Sequence, residues 1–268
     1  MKHWIVDAHA HLDDERFVDD LDTLVSAFAK DGVLAVINPG CDRETSLRAM
    51  ELAKQYSPVF ACVGTHPHEA KYYNAALEKE YEAWLRRDKV VALGEIGLDY
   101  HYDFSERKVQ REVFERQLQL AKDSGCPVVI HTREAIQDTY DIMKNFGSSI
   151  RAVMHSFSES EEMAEKFLNF GYYISLGGIV TFKNAKKPPA LAAMVPEDRL
   201  LLETDSPYLA PVPKRGKRNE PSYAWYTLQR MAELRGVSVD SLADITTKNA
   251  ARIYGLESAF EELRNALA

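Results

Sequence analysis

The sequence predicts an α/β protein, a single (β/α)8 (TIM) barrel domain over residues 1–268 that is regular or slightly distorted. Eight short apolar segments rich in β-branched residues recur along the chain, and helical segments separate them. Several of these segments are apolar throughout, which is typical of parallel strands covered on both faces. Right-handed crossovers between parallel strands favour closure into a barrel, for which about 250 residues is typical. A doubly wound open sheet is the alternative.

The eight predicted strands are four to six residues long, which suits strands rather than helices. Each is bounded by turn residues or by a helical pattern. They are Trp4–Ala8, Val33–Asn38, Val59–Gly64, Val90–Glu95, Pro127–His131, Ala152–His155, Tyr172–Leu176 and Leu200–Glu203.

The segment Arg107–Asp123 has the clearest helical period, and Gly125 and Pro127 mark its end. Ser158 and Glu161 have the spacing of a capping box, which predicts a second helix ending near Phe170. The other predicted helices occupy the remaining gaps, and the last one closes the chain. They are Arg16–Lys30, Arg43–Tyr56, Ala70–Arg86, Ala135–Phe146, Ala190–Val195, Ala224–Leu234 and Asp240–Ile253.

The composition is that of a soluble globular protein, with 46% hydrophobic and 28% charged residues. The N-terminal segment has no apolar signal region, and no apolar run approaches the ~18 residues of a membrane span. The three cysteines are widely spaced, so buried thiols in a reducing compartment are expected. These features predict a cytoplasmic protein without membrane association. The net charge of −8 repels nucleic acid at long range, so a phosphate-bearing substrate needs local positive charge.

Ionisable side chains are concentrated where the predicted strands end, and six of the eight histidines occupy such positions. In barrels of this type the active site lies at the C-terminal face, which these strand ends form. The residues at the ends of strands 1, 3, 4, 5, 6 and 8 are His9, His11, His66, His68, Glu95, Asp99, His131, His155 and Asp205.

The first strand ends in a pattern that favours metal binding. Residues two apart on a strand point to the same face, so His9 and His11 can approach one ion, with Asp7 on the same side. The alternative is a pair of core histidines satisfied by hydrogen bonds. Two imidazoles and a carboxylate are costly to bury without a cation, which favours the metal site.

His131 and His155 each end a predicted strand alone, and a lone histidine is more often a satisfied polar residue than a ligand. Two of them on adjacent strands, facing His9 and His11 across a barrel mouth, favour ligation instead. Glu95 lies between the two histidine pairs, where one carboxylate can bridge two ions. Asp205 is the last ligand candidate, and Glu203 is its alternative.

Nine sequence segments, in order along nearly the whole chain, resemble those of the TatD family of metal-dependent hydrolases. Each segment alone is a weak signal, but together they are highly specific. They are DAHAHL (7–12), GTHPH (64–68), GEIGLDY (94–100), PVVIHTREA (127–135), HSFS (155–158), GGIVTFKNA (177–185), ETDSPYLAP (203–211), RGKRNEP (215–221) and KNAARIYGL (248–256).

The resemblance implies two divalent ions, one held by His9, His11, Glu95 and Asp205 and the other by Glu95, His131 and His155. Glu95 would take the bridging role that a carboxylated lysine has in many related barrels. Ligands without a thiolate suit Mg²⁺, Mn²⁺, Zn²⁺ or Ni²⁺, and the family favours Mg²⁺ or Mn²⁺.

The resemblance also implies hydrolysis of DNA phosphodiesters, often from a 3′ end. Asp205, as a neighbour of the attacking water, is the candidate general base. Arg133 is placed to neutralise phosphate, with a solvated surface residue as its alternative. His66 and His68 either contact the substrate or orient a ligand.

A loop after strand 8 and two tyrosines complete the predicted DNA-binding residues. Four cations in five residues usually mean a solvated loop, but in an acidic protein this loop can attract phosphate locally. Tyrosines near the site can stack bases. The residues are Lys214, Arg215, Lys217, Arg218, Tyr100 and Tyr208.

Two other functions are compatible with parts of this pattern. An amidohydrolase or esterase, including one that deacylates D-aminoacyl-tRNA, uses the same metal site on a carbonyl, so RNA or a tRNA-linked ester is the alternative partner to DNA. Arg133 and the basic loop favour phosphate over a neutral amide. A non-catalytic nucleic-acid-binding scaffold is disfavoured because all six candidate ligands are present.

Overall fold

The protein, described over residues 3–267 by a computed structural model, contains eight parallel strands in the order of the chain. Helices separate the strands, as the sequence predicts. The strands are β1 (Ile5–Asp7), β2 (Val33–Pro39), β3 (Val59–Val63), β4 (Val90–Asp99), β5 (Val128–Arg133), β6 (Ala152–Met154), β7 (Tyr173–Leu176) and β8 (Leu200–Leu202). Every predicted strand overlaps one of these.

The first and last strands are joined by backbone hydrogen bonds that close the sheet. The N–H of Ala8, which directly follows β1, donates to the carbonyl of Leu202, the last residue of β8, at 3.0 Å. Beyond the strands, the Asp205 N–H donates to His9 at 2.9 Å and the His11 N–H donates to Ser206 at 2.7 Å. The prediction of a nearly closed (β/α)8 barrel is therefore confirmed, and the open sheet is excluded.

Ten α-helices surround the strands in the described part of the chain. They are α1 (Leu21–Asp31), α2 (Arg43–Gln55), α3 (Ala75–Trp84), α4 (Arg107–Ser124), α5 (Ile136–Met143), α6 (Glu161–Leu168), α7 (Lys187–Met194), α8 (Ala224–Arg235), α9 (Val239–Tyr254) and α10 (Glu257–Ala266). No helix within residues 3–267 is long and apolar enough to span a membrane.

Several predicted helix boundaries were wrong. The N-cap of α6 is Ser160, whose side chain accepts from the Met163 N–H, rather than Ser158. The helices predicted from Arg16 and Ala70 begin as short 3-10 turns, and α1 and α3 start several residues later. The chain continues past α9 into α10, because Gly255 ends α9 in a left-handed conformation with a φ of 69°.

Successive residues of one strand contribute to two different apolar clusters. On β8, Leu200 and Leu202 belong to the cluster shared with the surrounding helices, whereas Leu201 belongs to a second cluster with α9 and α10. Phe260 of α10 packs against Phe60, near the start of β3, with 6.0 Å between ring centroids. The helix α10 therefore covers the end of the barrel where the strands begin, and the opposite end is left for the polar residues.

Candidate metal centre

The central carboxylate, Glu95, lies on β4, which continues four residues beyond the predicted end and pairs with β5 as far as Asp99. Gly97 makes this pairing possible. It pairs with His131 and has a φ of 140°, and a Cβ at this position would lie 2.0 Å from the His131 carbonyl oxygen. A residue with a side chain cannot occupy that space. The glycine therefore lets the strands that carry Glu95 and His131 come together.

One oxygen of Glu95 faces the histidines that follow β1. Glu95 Oε2 lies 3.3 Å from His9 Nε2 and 3.8 Å from His11 Nε2. The two imidazole nitrogens are 3.2 Å apart, and Asp205 Oδ1 is 3.9 Å from the first and 3.6 Å from the second. Four donor atoms thus converge on one small volume, and they belong to the four residues predicted for one ion.

The other oxygen of Glu95 faces a different set of imidazoles. Glu95 Oε1 lies 2.8 Å from His131 Nδ1 and 3.8 Å from Nε2 of both His155 and His66. The structure thus brings His131 and His155 to this side, as predicted, and adds His66. His155 also stacks on His9, with ring centroids 3.5 Å apart.

The proton position on His66 distinguishes it from the other imidazoles. Its Nδ1 accepts a hydrogen bond from the His68 backbone N–H at 3.2 Å. Burial lowers the pKa of His66, so the ring is neutral and its remaining proton is on Nε2. A protonated Nε2 donates a hydrogen bond and cannot bind an ion, so His66 is suited to contacting a substrate oxygen.

Two buried carboxylates orient His131 and His155 by contacting the ring nitrogen that faces away from Glu95. Glu203 Oε1 accepts from the Ser156 backbone N–H and lies 3.0 Å from His155 Nδ1. Asp99 Oδ2 lies 3.1 Å from both His131 Nε2 and His68 Nε2. A carboxylate on the far nitrogen of an imidazole is the usual partner of a metal-binding histidine. Glu203, considered from sequence as an alternative ligand, has this orienting position.

The electrostatics of the cluster favour a bound cation. Burial lowers the pKa of His9 to about 4, so its nitrogen is free to act as a ligand. Burial also lowers the pKa of His155, but Glu203 and Glu95 outweigh it and raise that pKa to about 10. Among the described residues, Glu95 and Asp205 form ion pairs only with histidines. A proton on His155 therefore supplies positive charge that a metal ion would otherwise provide.

An open cleft of about 430 Å³ leads to these residues. His66, His68, Arg133 and Tyr208 line it, as expected for residues that contact a substrate. Four further carboxylates also line the cleft, so it is acidic without metal ions. They are Asp13, Asp14, Asp42 and Glu69.

The other predicted DNA-binding residues do not line this cleft. The Tyr100 hydroxyl donates to Asp138 at 2.7 Å, and Arg107 covers the Tyr100 ring at 4.4 Å. Because Tyr100 follows the end of β4, its side chain points toward α4 and α5, away from the cleft. Its hydroxyl and one face of its ring are therefore engaged within the protein.

The basic loop after β8 is mostly engaged within the protein. Arg218 forms an ion pair with Asp20 at 2.6 Å, and Arg215 lies over the Phe182 ring at 4.0 Å. Lys214 lies over the Tyr223 ring at 4.8 Å. Lys217 is exposed. Of these four side chains, Arg218 has described ion pairs with carboxylates, whereas Lys214 and Arg215 contact aromatic rings, which do not neutralise their charge.

The sequence of the chain matches a family of known proteins over most of its length. The profile of the family described as "TatD related DNase" matches residues 6–255. The chain belongs to the TatD family. It is 42% identical over 255 residues to "Uncharacterized metal-dependent hydrolase YabD" of Bacillus subtilis, covering 93% of this chain and 98% of that protein. It is 38% identical over 266 residues to "Uncharacterized metal-dependent hydrolase YcfH" of Escherichia coli, covering 96% and 97%.

Solved structures agree with this family membership. The structure of the TatD homologue YJJV from Escherichia coli has a TM-score of 0.89 and 31% identity, covering 95% of this chain and 99% of that chain. A TatD family hydrolase from Entamoeba histolytica has a TM-score of 0.84 at 23% identity, covering 95% and 99%, which shows the shared fold. The chain is therefore a metal-dependent hydrolase of the TatD family.

Ion binding is expected to raise the melting temperature of the metal-free protein. At a free Mn²⁺ concentration of 100 times Kd, one site adds about 2.7 kcal/mol to the free energy of unfolding. For a chain of this size that corresponds to a Tm increase of about 5–10 °C. Differential scanning fluorimetry with and without EDTA measures it. The same increase in Glu95→Ala would contradict binding at this cluster.

Proposed function

We propose that the protein is a deoxyribonuclease that hydrolyses DNA phosphodiester bonds with two divalent ions, Mg²⁺ or Mn²⁺, and shortens strands from the 3′ end. The observation that carries this proposal is the two-sided environment of Glu95. Its two oxygens face separate groups of imidazoles, and Asp205 completes one of them. Ions bound at such a pair of sites activate a water molecule and neutralise charge on a transferred phosphate.

Asp205 is suited to accept a proton from the attacking water. In the metal-free protein, burial raises its pKa to about 6, while the nearby His155 and His11 lower it. A general base is most effective when its pKa is near the working pH. In this proposal Asp205 also holds an ion, as the resemblance implies.

His66 and Arg133 are suited to bind the phosphate. His66 presents a donor on Nε2, 3.8 Å from Glu95 Oε1, and Arg133 lines the same cleft. Arg133 is the only arginine or lysine among the described residues that line this cleft. Because the cleft is otherwise acidic, it binds DNA only when ions or these donors neutralise its charge.

A labelled oligonucleotide tests the proposed function. Purified protein is incubated with 5′-labelled single- and double-stranded DNA in Mg²⁺, in Mn²⁺ and in EDTA. A metal-dependent ladder that shortens from the 3′ end supports the proposal. Cleavage that persists in EDTA contradicts it, and hydrolysis of an aminoacyl ester but not of DNA would show that the site acts on carbonyls.

Arg133→Ala is expected to raise the KM for DNA about 10- to 150-fold, since a hydrogen bond to a charged group contributes about 1.5–3 kcal/mol. Loss of one phosphate contact also lowers the slope of log KM against log salt concentration by about 1. Steady-state kinetics at several salt concentrations measure both quantities. Arg215→Ala is the matched control, because Arg215 lies over Phe182 outside the cleft. Equal effects of the two substitutions would show that Arg133 acts only through overall charge.

A further inference from the structure

Two exposed aromatic rings stand beside the cleft in the segment that joins β4 to α4. Tyr102 is 48% exposed and Phe104 is 56% exposed. Their rings are stacked, with centroids 5.2 Å apart and an interplanar angle of 15°. Neighbouring large rings that remain this exposed to water indicate a binding surface.

His68 connects these rings to the metal centre. Its imidazole meets Tyr102 and Phe104 edge-on, with centroid distances of 5.5 and 4.9 Å. On its other side, His68 Nε2 lies 3.1 Å from Asp99 Oδ2, which also lies 3.1 Å from His131 Nε2. Only one imidazole and one carboxylate therefore separate the stacked rings from His131.

Positive charge borders the same rings. The Arg133 guanidinium lies over the Tyr102 ring, 4.9 Å from its centroid. Lys71 Nζ donates to the Phe104 carbonyl oxygen at 3.0 Å. Stacked aromatic rings with neighbouring cations combine the two features that bind single-stranded nucleic acid, since bases stack on rings and cations hold the backbone.

We propose that the exposed ring of Phe104, backed by Tyr102, forms a stacking platform for one unpaired base of single-stranded DNA, next to the phosphate that is cleaved. This inference rests on the proposed deoxyribonuclease function. Tyr208 lies at the other side of the centre, 6.1 Å from His11, so aromatic residues flank both ends of the ligand cluster. A base inside a duplex is already stacked on its neighbours. The platform therefore selects single strands and frayed ends.

Equilibrium binding tests the platform. A fluorescent phosphorothioate oligothymidylate resists cleavage, and its anisotropy in Mn²⁺ reports affinity. Removing one stacked base contact changes affinity about 5- to 150-fold. Phe104→Ala is expected to bind about tenfold more weakly, and Phe104→Trp is expected to bind as the wild-type protein does. Tyr72→Ala is the control, because Tyr72 is 65% exposed on the neighbouring turn and has no described ring contact with the platform.

An abasic scan identifies the base that the platform holds. One abasic nucleotide, moved along the oligonucleotide, is expected to weaken wild-type binding about tenfold at a single position and to have no further effect on Phe104→Ala. An equal loss at every position in both proteins would overturn the platform. If the wild-type protein cleaves DNA and Phe104→Ala has normal affinity and KM, the platform alone is overturned. A wild-type protein that neither binds nor cleaves DNA overturns the proposed function as well.

Discussion

Replacing Glu95 with alanine is expected to reduce kcat/KM for DNA at least about a thousandfold, since metal ions contribute several kcal/mol of transition-state stabilisation. Both oxygens of this carboxylate are used: Oε2 faces His9 and His11, and Oε1 faces His131. Asp205 approaches His11 and His155 through one oxygen, at 3.6 and 3.9 Å, whereas Glu95 presents a different oxygen to each group. The substitution therefore removes the residue shared by both proposed sites.

Metal content separates this prediction from a loss of folding. We expect inductively coupled plasma mass spectrometry to find fewer ions bound per chain of Glu95→Ala, while circular dichroism is unchanged. Glu112→Ala is the matched control, because Glu112 is an exposed glutamate on α4. A Glu95→Ala protein with full metal content and normal cleavage would remove the basis for the proposed function.

Asp205→Asn is expected to lower kcat by about 10²–10⁴-fold, the usual contribution of a general base. The asparagine keeps one carbonyl oxygen near His11, where Asp205 Oδ1 now lies 3.6 Å from the imidazole nitrogen. It cannot accept a proton at neutral pH. We therefore expect a loss of turnover with much of the ion binding retained, which distinguishes Asp205→Asn from Glu95→Ala.

Parallel measurements of turnover and of Mn²⁺ affinity by calorimetry test this distinction. Asp198→Asn, a change at an exposed carboxylate paired with Arg199 just before β8, serves as the control. Normal turnover by Asp205→Asn with both ions bound would show that another group accepts the proton. A loss of turnover that follows the loss of ions would assign to Asp205 only the role of a ligand.

The sequence predicted the barrel and the position of its polar end well, because both depend on local patterns. Short β-branched segments such as Val33–Asn38 fit a buried strand and little else. Once the strands are parallel, their carboxyl ends meet at one face, so His9, Glu95 and His131 had to come near one another. Pattern alone was enough for this conclusion.

Features that depend on side-chain direction and on loop packing were not predictable in the same way. The predicted strand ends at Glu95, yet Gly97 extends β4 by letting it approach β5. That extension turns Tyr100 toward Asp138. The segment YHYDF that follows contains the exposed Tyr102 and Phe104, but only the structure shows that their rings stack beside His68.

The contacts of the loop cations within the protein could not be predicted from sequence, because their partners are distant along the chain. Arg218 pairs with Asp20, which lies just before α1. The predicted cap of α6, Ser158, was wrong by two residues, since Ser158 and Ser160 both precede acidic residues. Such choices are settled by how the loop meets its neighbours.

The backbone hydrogen bonds between the segments that follow β1 and β8 have a consequence for the stage of synthesis at which the protein can become active. The Asp205 N–H donates to the His9 carbonyl, and these two candidate ligands follow the last and the first strand of the barrel. This contact has the longest range in the sheet and therefore costs the most chain entropy to form. A nascent chain still lacking β8 has no complete centre, so hydrolysis can begin only after synthesis has passed the last strand. An ion held by His9 and Asp205 would stabilise the contact between them.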